Sequence, residues 1–175
     1  MRFFVLLVTC FLYLPGVTQP TKNIYIDKDF IAYFLKSECS NSNITYFQKE
    51  AFALEIEPDS AFYDYLGLSL SDSATIQDYV TASISFQFDT SLINNFKLVT
   101  EQYIHRVQDS LQKIDIDSFI PYLSLSLPFS IKNKNLIWLY SNFNLGPERG
   151  CGMIYIYNKE DNSFKLVTKK VTWIN

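Results

Sequence analysis

Hydrophobic and polar positions change their period along this chain, and the changes divide it into elements. Asp27 precedes Phe30, Ile31, Phe34 and Leu35, which share one helical face, so a helix capped by Asp27 and ending near residues 36–37 is predicted. A Ser/Asn-rich loop at 40–43 follows. Thr45 and Gln48 have capping-box spacing ahead of Phe47, Ala51 and Leu54, predicting a second helix that Pro58 ends. Residues 61–66 read as a short helical turn stopped at Gly67. Val80, Ala82, Ile84, Phe86 and Phe88 then alternate with polar residues, the period of a half-buried strand, although Ile76, Tyr79, Val80 and Ser83 keep a helical reading open. The strongest helical stripe is Ile104, Val107, Leu111 and Ile114.

The last third reads as strands and turns. Leu123, Leu125, Leu127 and Phe129 alternate with Ser124, Ser126, Pro128 and Ser130. A turn at 132–135 leads into the apolar run 136–140. A glycine-rich loop then precedes the run 153–157, and a polar turn at 159–163 precedes 164–173. Short connections imply antiparallel pairing in a four-stranded meander, with Pro128 at an edge or bulge because it has no N–H to donate. The expected class is α+β: N-terminal helices packed on one face of a C-terminal antiparallel sheet of four or more strands.

The N-terminus changes the picture of what folds. Arg2 precedes an apolar stretch, 3–14, broken only by Thr9, and Pro15 and Gly16 end it. That length suits a signal peptide and is too short to span a bilayer. The expectation is a leader at 1–19, a single globular α+β domain at 20–175 without a transmembrane segment, and an exported destination, periplasmic or secreted. Two other readings are a buried core helix and a lipoprotein acylated at Cys10, for which Cys10 lies early and Thr9 is a poor preceding residue.

The formal charge of −3 gives a nucleic-acid role no electrostatic support. It is unevenly spread: from Ile131 onward seven basic residues face three acidic ones, which fits lysines on hairpin turns and solvated strand faces. Aromatic residues are abundant, with 15 Phe, 12 Tyr and 2 Trp, so many must be buried. Without Cys10, two cysteines remain, Cys39 and Cys151. Either they form one disulfide across a long loop, or they are two unrelated buried thiols.

The run Leu125-Ser126-Leu127-Pro128-Phe129-Ser130, then Gly150-Cys151-Gly152, the hairpin around Tyr155-Ile156-Tyr157-Asn158-Lys159 and the final Trp173 resemble a group of small, uncharacterised exported bacterial proteins. The resemblance covers the C-terminal third and its motifs are mostly structural. Relatives of this type carry two Cys-Gly pairs in the loop. Here Leu145-Gly146 stands in place of the first, which argues against a redox or metal role for the loop and leaves Cys39 as the partner for Cys151.

Candidate chemistry is sparse. His105 is the single histidine, so any Ser–His–Asp or Cys–His catalysis would have to use it. Glu101, His105 and Asp109 share one side of a predicted helix, a spacing that suits surface salt bridges better than a metal. The pairs Asp27/Asp29 and Asp115/Asp117 lie at predicted helix ends, where Asp serves as a cap. Asn43-Ile44-Thr45 is a glycosylation sequon only in a eukaryotic secretory pathway. No cofactor motif occurs, and no metal or catalytic residue is assigned.

The loop from Asn144 to Gly152 is the best candidate binding element. Its glycines, among them Gly150 and Gly152, let backbone approach a partner, and Arg149 beside Glu148 can pair with a carboxylate or phosphate, with Trp138 and Tyr140 as aromatic neighbours. The sequence therefore reads as a non-enzymatic binding or interaction domain for a protein partner or small ligand. Alternatives are a periplasmic inhibitor or immunity-type partner, a hydrolase depending on His105, and a sheet wrapped around a helix to enclose an apolar cavity.

Overall fold

The structure, a computed structural model, describes residues 26–40, 42–52, 69, 72–115, 117–130, 135–146, 149–161 and 163–174. The expected leader at 1–19, the turn expected at 61–66 and Glu148 lie outside the described residues. In chain order the elements are α1 (Lys28–Glu38), β1 (Tyr46–Gln48), α2 (Ser73–Ser85), β2 (Lys97–Val99), α3 (Glu101–Gln112), β3 (Tyr122–Leu125), β4 (Phe129–Ser130), β5 (Leu136–Gly146), β6 (Arg149–Glu160) and β7 (Ser163–Ile174).

The α+β class stands, but the sheet is mixed rather than antiparallel. Seven strands form one sheet in the order β2-β1-β3-β5-β6-β7, with β4 also paired to β5. β1 lies parallel to both β2 and β3, whereas β3, β5, β6 and β7 pair antiparallel. β1 replaces the helix expected from Thr45 onward. Its carbonyl neighbour Thr45 O accepts from Lys97 N at 2.8 Å, and Phe47 is fully buried against Phe88 and Phe96. The local capping signal loses to these long-range pairings.

The strand expected from Val80 to Phe88 is mostly helix α2. Its buried positions, Ile76, Tyr79 and Ser83, follow the helical period, and Ile84 of the alternating set is 73 % exposed. Ser83 Oγ donates to Tyr79 O at 2.9 Å, so this buried hydroxyl is satisfied inside the helix. The chain becomes extended at Phe86, and Phe88 enters the core.

Pro128 sits where a bulge interrupts the pairing with β5. Leu125 pairs with Ser141 and Phe129 with Trp138, so four steps on one strand meet three on the other. Ser126 spans the break: its N–H donates to Tyr140 O at 2.9 Å, and its hydroxyl accepts from Tyr140 N at 3.0 Å.

Helix α1 forms as its sequence foretells. Asp27 Oδ1 accepts from Phe30 N at 3.0 Å, and Phe30, Ile31, Phe34 and Leu35 are buried. The helix runs antiparallel to β6. Lys159 Nζ reaches Asp27 Oδ2 at 2.6 Å, the Phe30 ring lies 5.2 Å from Tyr157, and Phe34 lies 4.9 Å from Tyr155. Lys169 meets Glu38 at 3.6 Å at the far end. Two lysines of the basic C-terminal third thus answer carboxylates at the two ends of α1.

Helices do not share one face of the sheet. Tyr157 pairs with Ile137, so Trp138, the next residue, points the opposite way, and it pairs with Phe129. Tyr79 of α2 packs on Phe129 at 4.9 Å and donates to Leu127 O at 2.9 Å, on the side away from α1. Covering both faces explains why residues 137–141 and 154–157 are buried without alternation.

Two substitutions check this seam by chemical denaturation. Asp27→Ala removes the cap and Lys159's partner and should cost about 1–2 kcal/mol, whereas Asp27→Asn keeps the acceptor and should cost less. Phe34→Ala should cost about 3–5 kcal/mol through the cavity it leaves.

Candidate functional site

The glycines of the expected binding loop do permit a close approach, and the group that approaches is the chain's own Trp173. Gly152 lies between Asn142 and Trp173 in the ladder. Trp173 Nε1 donates to Tyr140 Oη at 2.9 Å, and Tyr140 Oη lies 3.0 Å from Thr172 Oγ1. A Cβ on Gly152 would collide with the Tyr140 hydroxyl and the Trp173 indole nitrogen. One on Gly150 would come within 2.8 Å of Phe143 O and 3.0 Å of the Trp173 ring. Phe52 closes the cluster, its ring 5.1 Å from Tyr140 in an edge-on arrangement.

Trp138 and Tyr140 are accordingly buried, at 4 % and 8 % exposure, and present no aromatic face to a partner. Arg149 is exposed at the start of β6, opposite Gly146. Of the expected binding residues, Tyr140, Gly150 and Gly152 come together beneath Trp173, Trp138 lies in the core, and Arg149 stands apart at the surface. Thr172 and Phe52 complete the cluster without having been singled out. Alternate glycines on one strand, with a tryptophan near the end of the next, are the sequence signal for it, because an indole needs a strand without side chains to lie on.

The other candidates resolve into local roles. His105 Nε2 lies 3.6 Å from Glu101 Oε1, and both side chains are largely exposed, at 71 % and 62 %. Asp115 serves its own turn, accepting from Asp117 N at 3.2 Å and Ser118 Oγ at 3.3 Å. Among the described residues, no group of three or more His, Cys, Asp and Glu side chains could hold a metal ion. None of the helices described is long and apolar enough to cross a membrane.

Of the two cysteine readings, disulfide or separate thiols, the structure has Cys39 and Cys151 as free thiols. Cys39 ends α1 at 2 % exposure and fills space as a small apolar side chain. Burial, with the Glu38 charge adding to it, pushes its thiol from 9.0 up to about 12. Burial also raises Cys151, which is less enclosed. The phenols of Tyr155 and Tyr157 are raised by burial first and by Glu38 second. With the geometry in hand, comparison finds no protein-family model, no curated protein and no solved structure that matches the chain.

Three measurements follow from this geometry. Gly152→Ala should destabilise the fold by about 1–3 kcal/mol and change the fluorescence of Trp173, read by thermal melting and emission spectra. In the native protein at pH 8, a thiol reagent should modify Cys151 well before Cys39, read by peptide mass mapping. The pH dependence has a definite sign. Cys39 holds its proton in the folded state where the unfolded chain has lost it, so its contribution is intact below pH 9 and disappears as pH rises from 9.0 towards about 12. Denaturation midpoints should fall across that window, and less steeply in Cys39→Ala.

Proposed function

We propose that this chain is a non-catalytic binding domain that works outside the cytosol. The observation that carries the reading is the position of His105. The single histidine, on which nucleophilic or metal-assisted hydrolysis would lean, stands on a solvated helix face with Glu101 as its neighbour. A general base works sheltered from water beside the reacting group, whereas the His105 side chain is 71 % exposed. The apolar run at 3–14, with Arg2 before it and Pro15 and Gly16 after it, supports export.

The test combines one variant with one native preparation. His105→Ala should leave stability and any activity of the purified protein unchanged; loss of a hydrolytic activity on this substitution would sink the non-catalytic reading. Intact mass of the protein taken from its host's envelope should correspond to a chain beginning between residues 17 and 20. Recovery of the full 175-residue chain from the cytosol would overturn export.

A further inference from the structure

Helix α1 has a second side, turned away from β6, and a groove lies along it. Its volume is about 370 Å³. Ala32, Leu35, Leu92 and Phe96 give it apolar walls, while Lys36, Ser91, Asn94 and Asn95 bring polar groups to it. Ala32, Leu35 and Lys36 converge because residues three and four apart lie on one side of a helix. The opposite wall is fixed by its own bonds. Asp89 Oδ1 accepts from Ser91 N at 2.8 Å, Ser91 Oγ at 2.5 Å and Leu92 N at 3.2 Å. Ile93 is buried at 1 % exposure, and Phe96 packs on Phe47 at 5.9 Å.

Lys36 is the one charged side chain among the lining residues. Lys36 is exposed and, among the described residues, makes no ion pair or hydrogen bond, and the side-chain amides of Asn94 and Asn95 find no partner there either. Asp89, the carboxylate nearest along this segment, is occupied by three donors of its own turn. An ammonium and two carboxamides over an apolar floor, with no ionised acceptor among the lining residues, match an anion that carries a hydrocarbon body. The volume equals about a dozen water-sized units of ~30 Å³, enough for a ligand of roughly ten non-hydrogen atoms.

We propose that this groove between α1 and residues 91–96 seats a small amphipathic monocarboxylate, its carboxylate on Lys36 and the Asn amides and its apolar body on Leu35, Leu92 and Phe96. The assignment rests on the binding-domain reading and adds to it the seat and the ligand class.

A nitrogen-15 correlation NMR titration of the folded protein with 3-phenylpropionate tests it, with 3-phenylpropionamide as the uncharged isostere. Shifts should cluster at residues 32–36 and 91–96. Lys36→Gln, an exposed change that leaves the spectrum dispersed, should weaken carboxylate binding about threefold to fivefold. The amide should bind wild type as weakly as the carboxylate binds the variant, and should be indifferent to Lys36→Gln. Ala32→Trp, which fills the groove from the exposed side of α1, should abolish the shifts. Absence of shifts at these residues, shifts centred elsewhere, or equal binding of acid and amide would overturn this seat. None of those results touches the non-catalytic reading, which depends on His105→Ala.

Discussion

Among the rings through which helix α1 meets the sheet are Phe30 and Phe34, and the strand beneath them, β6, is flanked on both sides by strands of nearly its own length. The four-ring seam with Tyr157 and Tyr155 is edge-on, the arrangement that sets a positive ring edge against a negative face. Each such ring contributes about 1.5–3 kcal/mol by leaving water, with about 0.5–1.5 kcal/mol more per aromatic pair. The ion pairs at either end, Asp27 with Lys159 and Glu38 with Lys169, contribute less, because both lysines are substantially solvated. They fix direction: with either helix polarity the rings could pack, but only one polarity puts both acids on lysines.

Once α1 is fixed, its two long sides have different surroundings. The side on β6 is closed by aromatic rings and ends at a buried thiol that stays protonated. The other side meets the 89–96 segment incompletely, and the gap is the groove beside Lys36. Asp89 holds that segment through bonds to its own turn, so this wall of the groove keeps its shape without help from α1. At the opposite end of β6 the constraint is one of space. Trp173 lies against a strand that has hydrogen in place of side chains at 150 and 152, and its indole N–H finds Tyr140. This clasp ties the last strand to the centre of the sheet.

Much of this was written locally. The α1 helix, its cap at Asp27 and its buried face depend on residues within one or two turns of one another, so a linear reading finds them. The long runs of β5 and β6 are likewise visible, since consecutive apolar residues record burial on both faces wherever they occur. The α2 segment shows the limit. Two periods coexist in one stretch, and the burial of Ile76, Tyr79 and Ser83, with Tyr79 on Phe129 and Leu127, selects the helical one.

The sequence alone determined the α+β class, the first helix with its cap, and the apolar identities of the central strands, because each is encoded by neighbours along the chain. Only the tertiary structure decided that β1 is a strand, that it lies parallel to β2 and β3, that helices cover both faces, and that the glycines serve Trp173. Those outcomes depend on partners distant along the chain, as when Tyr46 pairs with Lys97 and Tyr122 and Gly152 with Trp173. A three-residue strand has too few side chains to announce itself; its partners' backbone groups and the rings beside Phe47 select its conformation.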